Sequence, residues 1–138
     1  MRFEEIENKD MTVVSVSVPG TDAATATNYG KFFIARRPYE VMEVAEVHGA
    51  AGTGGAATLD LERLQGTEAL GSGDGICVAE FDLEGTADTV VTKKGVDLQN
   101  RTLEIGDRLA LKDTGTLTSV ADVCVTVLLK PLGKGDYR

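Results

Sequence analysis

Apolar and polar residues alternate with a period of two through most of this chain, the spacing of strands that bury one face. In residues 11–18, Val14, Val16 and Val18 share one side and Val13, Ser15 and Ser17 the other. Leu59 and Leu61 alternate with Asp60 and Glu62, and Leu109 and Leu111 point inward after a turn at Gly106 and Asp107. Residues 113–116 (DTGT) read as the next turn, and residues 120–129 as the longest strand. There Val123, Val125, Val127 and Leu129 oppose Asp122, Cys124, Thr126 and Lys130. Burying each such Val or Leu is worth about 1.5–3 kcal/mol, so this strand is a principal core element.

Residues 31–48 form the centre of the pattern. Phe32, Phe33 and Ile34 make one apolar run, and Tyr39, Val41, Met42, Val44 and Val47 a second. Pro38 has no amide hydrogen for a ladder, so the stretch is two strands broken at Arg37 and Pro38. In the second strand Tyr39, Val41, Ala45 and Val47 fall on one face and Met42 and Val44 on the other, which predicts cover on both sides. Glu43, Glu46 and His48 interrupt it and put one edge in water.

The connections are rich in glycine and small polar residues. Residues 19–30 suit a crossover between sheets, and 49–57 (GAAGTGGAA) a hairpin loop. The latter lacks the Lys-Ser/Thr of a phosphate loop, and no helix-periodic segment follows it. Residues 74–85 are compatible with short strands or a helical turn. Residues 1–10 are mostly charged, with Phe3 and Ile6 among their few apolar side chains, and read as an arm outside the core.

Composition narrows the function classes. A chain of 138 residues with 16 Gly, no Trp and 5 % aromatics suits one domain of many short strands. The net charge of −8 comes from 22 acidic and 14 basic residues spread along the chain, which leaves no basic face for nucleic acid. Cys77 and Cys124, with a single histidine, match no zinc or disulfide framework and read as reduced, half-buried or core thiols. No apolar run reaches 18 residues and residues 1–10 carry no secretory h-region, so neither a membrane nor export is expected. Asn100-Arg101-Thr102 is then an incidental glycosylation match.

No acid, base and nucleophile set is visible around His48 or either cysteine. Glu4 with Glu5, and Asp60 with Glu62, read as solvated carboxylates; Asp74, Asp82 and Asp88 lack calcium-loop spacing. No catalytic, cofactor or metal residue is expected. The candidates for binding are assembly contacts: Arg36 and Arg37 at the strand break, and Phe3 and Ile6 in the arm.

The segments FFIARRPYEVMEVAEVHGAAGTGGAATLDLERLQGT and LEIGDRLALKDTGTLTSVADVCVTVLLKP, within residues 32–131, resemble small virion proteins of tailed bacteriophages and prophages. The most specific parts are residues 46–49 with the Gly/Ala loop after them, and residues 106–111. The resemblance implies a β-sandwich or jelly-roll module that studs a capsid or builds part of a tail. The expected fold is all-β: an antiparallel, jelly-roll-like sandwich of about eight strands over residues 11–138, preceded by the arm. The expected role is a non-enzymatic capsid decoration protein, made in the bacterial host cytoplasm. It would bind the major capsid protein as a homo-oligomer, a trimer, on the virion. A tail or baseplate component, or a receptor- or carbohydrate-binding sandwich, is the alternative; the absence of Trp disfavours sugar binding.

Overall fold

The computed structural model describes residues 11–21, 29–77, 79–94 and 100–133, and every regular element among them is a β-strand. In chain order these are β1 (Thr12–Thr21), β2 (Lys31–Ile34), β3 (Tyr39–Ala50), β4 (Ala57–Leu64) and β5 (Asp74–Gly75), then β6 (Phe81–Asp82), β7 (Val91–Lys93), β8 (Thr102–Leu103), β9 (Arg108–Gly115) and β10 (Ala121–Pro131). They form two antiparallel sheets. One runs β1-β10-β3-β7, with β8 also on β3; the other runs β2-β9-β4-β5, with β6 also on β4.

The pairing is a nested hairpin. The first strand pairs with the last, β2 with β9, β3 with β7 and β8, and β4 with β5 and β6. Successive rungs of this ribbon fall in opposite sheets, and β10–β3 and β9–β4 join them side by side. This is the double-sheet jelly roll. The strands number ten among the described residues, where about eight are expected, because β5, β6 and β8 are two-residue rungs too short to show a period. The described residues of 74–85 accordingly carry short strands and turns and no helix.

Val123, Val125, Val127 and Leu129 of β10 are all buried, as their alternation requires. They face Leu59 and Leu61 of β4 and Leu109 and Leu111 of β9 in one core that Ile76, Phe81, Leu83, Leu103, Leu117 and Val120 complete from the connections. Val18 of β1 is buried, Val14 and Val16 pack against the core, and Val13, Ser15 and Ser17 are exposed.

Four local expectations change. Residues 113–116 are not a turn: β9 runs through Gly115, and the chain reverses at Leu117, whose carbonyl accepts from Val120 N at 3.0 Å. Gly115 has φ +91°, and a Cβ there would collide with the Ala56 carbonyl oxygen, so only glycine closes this ladder. Residues 49–57 are not a hairpin loop either, because β3 and β4 lie in different sheets. Glu62 is buried rather than solvated, and accepts Gly71 N at 2.8 Å.

The fourth change is in β3. Leu128 of β10 lies opposite Glu43 and Leu129 opposite Val41, so β3 advances two residues where β10 advances one. Met42 is the extra residue of a bulge, and a bulge exchanges the faces of everything beyond it. Val41, Val44, Glu46 and His48 therefore point inward, while Ala45 and Val47 take the outer face. Pro38 does break the stretch, and the break is a passage between sheets: β2 belongs to one and β3 to the other. A Phe33–Tyr39 edge-to-face ring contact, with centroids 5.8 Å apart, spans it.

The register defines the two ends of the sandwich. Thr12 pairs with Leu129, which pairs with Val41, and Tyr39 pairs with Leu103. The 35–38 turn and the 104–107 turn are joined there by Ala35 N to Asp107 O and Gly106 N to Ala35 O, both 2.8 Å. The chain thus enters β1 and leaves β10 at the end of the sandwich that carries Arg36 and Arg37.

Candidate functional site

Two places hold chemistry that a simple sandwich does not need. The first is the Glu46–His48 pair, turned into the core by the β3 bulge and only 1 % and 2 % exposed. His48 Nε2 lies 2.9 Å from the Gly85 carbonyl oxygen, which can only accept, so Nε2 carries a hydrogen and donates it. Nδ1 lies 2.8 Å from Glu46 Oε2. The two side chains therefore share one proton across that contact.

Burial raises the Glu46 pKa by more than its bond to His48 lowers it. For His48, burial alone would lower the pKa. The hydrogen bonds to Gly85 and Glu46, with the Glu46 and Asp82 charges, carry it above its ordinary value instead. The cause is common to both: removing the shared proton would leave a carboxylate charge in the core. Glu46 Oε1 and the Tyr29 hydroxyl are buried without a hydrogen-bond partner among the described residues. The Tyr29 pKa is pushed up to about 12 by burial and by the Asp113 and Glu46 charges.

Sealed from solvent, this pair has no approach for a substrate. Its geometry does something else: it pins the 83–88 connection to the end of β3, which Asp88 N reinforces by donating to the His48 carbonyl at 2.8 Å. Asp82, in turn, accepts Glu84 N at 2.9 Å.

The second place is an open groove of about 600 Å³ along β2, lined by Lys31, Phe32, Phe33, Ile34, Arg36 and Arg108. Among the described residues β2 pairs only with β9, through Lys31, Phe33 and Ile34. Ile34 is 60 % exposed. Arg108 donates Nη2 to Gly66 O at 2.8 Å and Nη1 to Glu68 O at 3.3 Å, both neutral carbonyls, and forms no ion pair with a described residue. Lys31 and Arg36 make no ion pair with any described residue. Three cations and three apolar side chains are thus gathered on a chain whose net charge is −8.

Of the residues singled out in the sequence, Arg36 lines this groove. Arg37 turns away and donates Nη2 to the Leu132 carbonyl at 3.3 Å. Phe3 and Ile6 lie outside the described residues. Sequence reasoning missed Lys31 and Arg108 as members, since only the Ile34–Arg108 register brings residues 74 positions apart to one spot. Asp74 pairs with Arg63 at 3.0 Å, and no group of three or more potential metal ligands forms among the described residues. Cys77 and Cys124 are half-buried and free; burial, with the Asp60 charge, pushes the Cys77 thiol up to about 12, so it is not a nucleophile near neutral pH.

No family model matches this chain, and no curated protein matches it. Among solved structures it is similar to a chain of the Bacillus endospore appendages, described as a novel family of disulfide-linked pili. The identity is 12 %, the alignment covers 89 % of each chain and the TM-score is 0.41.

Proposed function

We propose that this chain is a bacteriophage virion structural protein: a capsid decoration, or cement, protein that binds the major capsid protein on the outer head lattice as a homotrimer. The observation that carries the reading is the composition of one end of the sandwich. Of the five exposed large apolar side chains among the described residues, Val13, Ile34 and Ile105 lie at this end, which also carries Arg36 and Arg37. Apolar side chains gathered with cations on an otherwise acidic body make a surface suited to a protein partner. The ionisable pair that could have hinted at catalysis is sealed inside.

The test mixes the purified protein with expanded and unexpanded capsids that lack it, and follows co-sedimentation. Saturable binding to heads is expected, and Arg36→Glu should weaken it about tenfold, a loss of about 1.4 kcal/mol. Binding only to tails, only to host glycans, or to neither would overturn the reading.

A further inference from the structure

We propose that Glu46 and His48 form a proton-gated latch on residues 84–88, in the passage from β6 to β7: loss of the proton they share frees this segment while the sandwich stays folded. β6 and β7 belong to different sheets, so the passage is one of the places where the chain crosses between them. The latch lies in the interior of the fold and needs no capsid.

The segment has no apolar anchor of its own. Leu83, just before it, is buried, donates its N–H to Ala57 O and accepts Gly52 N at its carbonyl, both at 2.9 Å. Residues 84–88 beyond it bury no side chain. Among the described residues they reach the sandwich, past their neighbour Asp82, through Glu84 Oε2, which accepts Gly55 N at 3.0 Å, and through His48. His48 holds them twice: its Nε2 donates to Gly85 O at 2.9 Å, and its carbonyl accepts Asp88 N at 2.8 Å. Asp88 has φ +58°, a left-handed conformation that a residue with a side chain keeps only when its surroundings hold it there. A segment tied down by few polar contacts opens locally at less cost than the core around it.

The ring of His48 stands between two acceptors, the Gly85 carbonyl oxygen at Nε2 and Glu46 Oε2 at Nδ1. Two hydrogens serve them, one on Nε2 and the shared one between Nδ1 and Oε2. When one leaves, a neutral imidazole with a single N–H faces both acceptors, and one contact must fail. A hydrogen bond to an ionised carboxylate is the stronger of the two, and Glu46 is too deeply buried to find water in its place. The remaining hydrogen therefore sits on Nδ1. Nε2 then turns a lone pair towards the Gly85 oxygen, and that contact becomes repulsive. Gly85 is only half-buried, so its carbonyl exchanges the lost donor for water by moving outward.

The groups around the pair set the direction. Across the ladders its neighbours are uncharged: Val123 and Val125 of β10 lie opposite His48 and Glu46, and Val91 of β7 lies opposite Glu46. Lys93 of β7 is engaged over the Phe81 ring, 5.3 Å from its centroid. From the connections, Glu84 binds Gly55 N and Asp88 is exposed. Tyr29, with its pKa pushed up to about 12 by burial and by the Asp113 and Glu46 charges, stays neutral below that range. Burial alone would lower the His48 pKa, but the bonds to Gly85 and Glu46 and the Glu46 and Asp82 charges outweigh it. The latch is therefore closed through the ordinary histidine range and opens above it.

His48 is the only histidine in the chain, so nitrogen NMR of the full-length protein reads its ring without ambiguity. A titration from pH 6 to pH 10 is expected to end with the hydrogen on Nδ1 and a bare Nε2. Hydrogen exchange, expressed as protection relative to an unstructured chain, reports the segment itself. As the ring loses its proton, protection of residues 84–88 should fall at least tenfold while the β10 amides keep theirs. Glu46→Gln supplies a side-chain amide that donates to Nδ1, so a neutral His48 keeps its hydrogen on Nε2 and its bond to Gly85. That variant should stay latched, with unchanged protection of 84–88 across the same range. Thermal melting checks that it folds; the wild-type ring signals and exchange decide the matter without it. Protection that holds steady as His48 titrates, a wild-type ring that keeps its hydrogen on Nε2, or β10 exchange that rises in step with 84–88 would each overturn the latch. So would a folded Glu46→Gln protein that opens like the wild type.

Discussion

Glu46 and His48 are the most deeply buried ionisable side chains among the described residues, and they survive in the core because they hold one proton between them. Breaking such a pair by removing one partner typically costs about 3–5 kcal/mol, since the other is left buried and unpaired. Raised pKa values give their effect on stability a definite sign. Asp60 is lifted to about 6, first by burial and then by the Glu80 and Glu62 charges, which together outweigh its bond to Leu61 N and the Lys112 charge. A folded-state pKa above the unfolded value means that the folded chain binds more protons, so stability falls as pH rises. For Asp60 the contribution is complete below 3.8 and lost as pH rises through about 6. For the Glu46–His48 pair the loss comes at higher pH, as the shared proton leaves from above the ordinary histidine range. We therefore expect the thermal midpoint to fall steadily between pH 4 and pH 8. Asp60→Asn should flatten the acid half of that profile by on the order of 1 kcal/mol, after allowance for solvent screening at a half-exposed carboxylate. A midpoint that rises from pH 4 to pH 6 would contradict the assignment.

At the scale of elements, β10 was legible and the far half of β3 was not. Strict alternation of Val123, Val125, Val127 and Leu129 against polar neighbours leaves one way to bury the strand. Val125 is 1 % exposed and lies opposite Val16 on one side and Glu46 on the other. A carboxylate there would be buried beside an existing acid. Val125→Asp should therefore cost on the order of 4–5 kcal/mol, a large part of the total stability of an ordinary domain. Cys124→Ser, on the opposite face of the same strand, should change the unfolding free energy measured in urea by less than about 1 kcal/mol. A soluble Val125→Asp protein with a cooperative transition like the parent's would show that the facing is wrong. In β3 the same alternation put Val41, Ala45 and Val47 on one face and Met42 and Val44 on the other, with cover on both sides, and read Glu43, Glu46 and His48 as interruptions at a wet edge. The bulge at Met42 reverses that, and nothing in a period of two announces a residue that will be left unpaired. The polar pair was visible in the sequence; its burial was a consequence of register with a strand some 80 residues away.

At the scale of the whole molecule, the nested pairing makes nearly every ladder long-range: β1 finds β10, and β2 finds β9, across most of the chain. Closing such loops costs chain entropy before the contacts form, so jelly rolls belong among the slow-folding topologies. Stopped-flow refolding is expected in the millisecond-to-second range, and a microsecond relaxation would contradict this topology. The sequence by itself determined the all-β class, the principal core strands and the break at Pro38, because alternation and proline's missing donor act locally. It also singled out Arg36, which lies in the groove along β2, as a candidate contact. Tertiary structure alone decided that the break crosses between sheets, that β5, β6 and β8 add two-residue rungs to the expected sandwich, and that Glu46 and His48 lie inside. It alone set Arg36 and Lys31 in one groove with Arg108, while Arg37 went to the Leu132 carbonyl. The physical reason is the same in each case. Side-chain facing follows from neighbours two residues apart, whereas sheet order, bulges and shared grooves follow from which distant strand supplies the next hydrogen bonds.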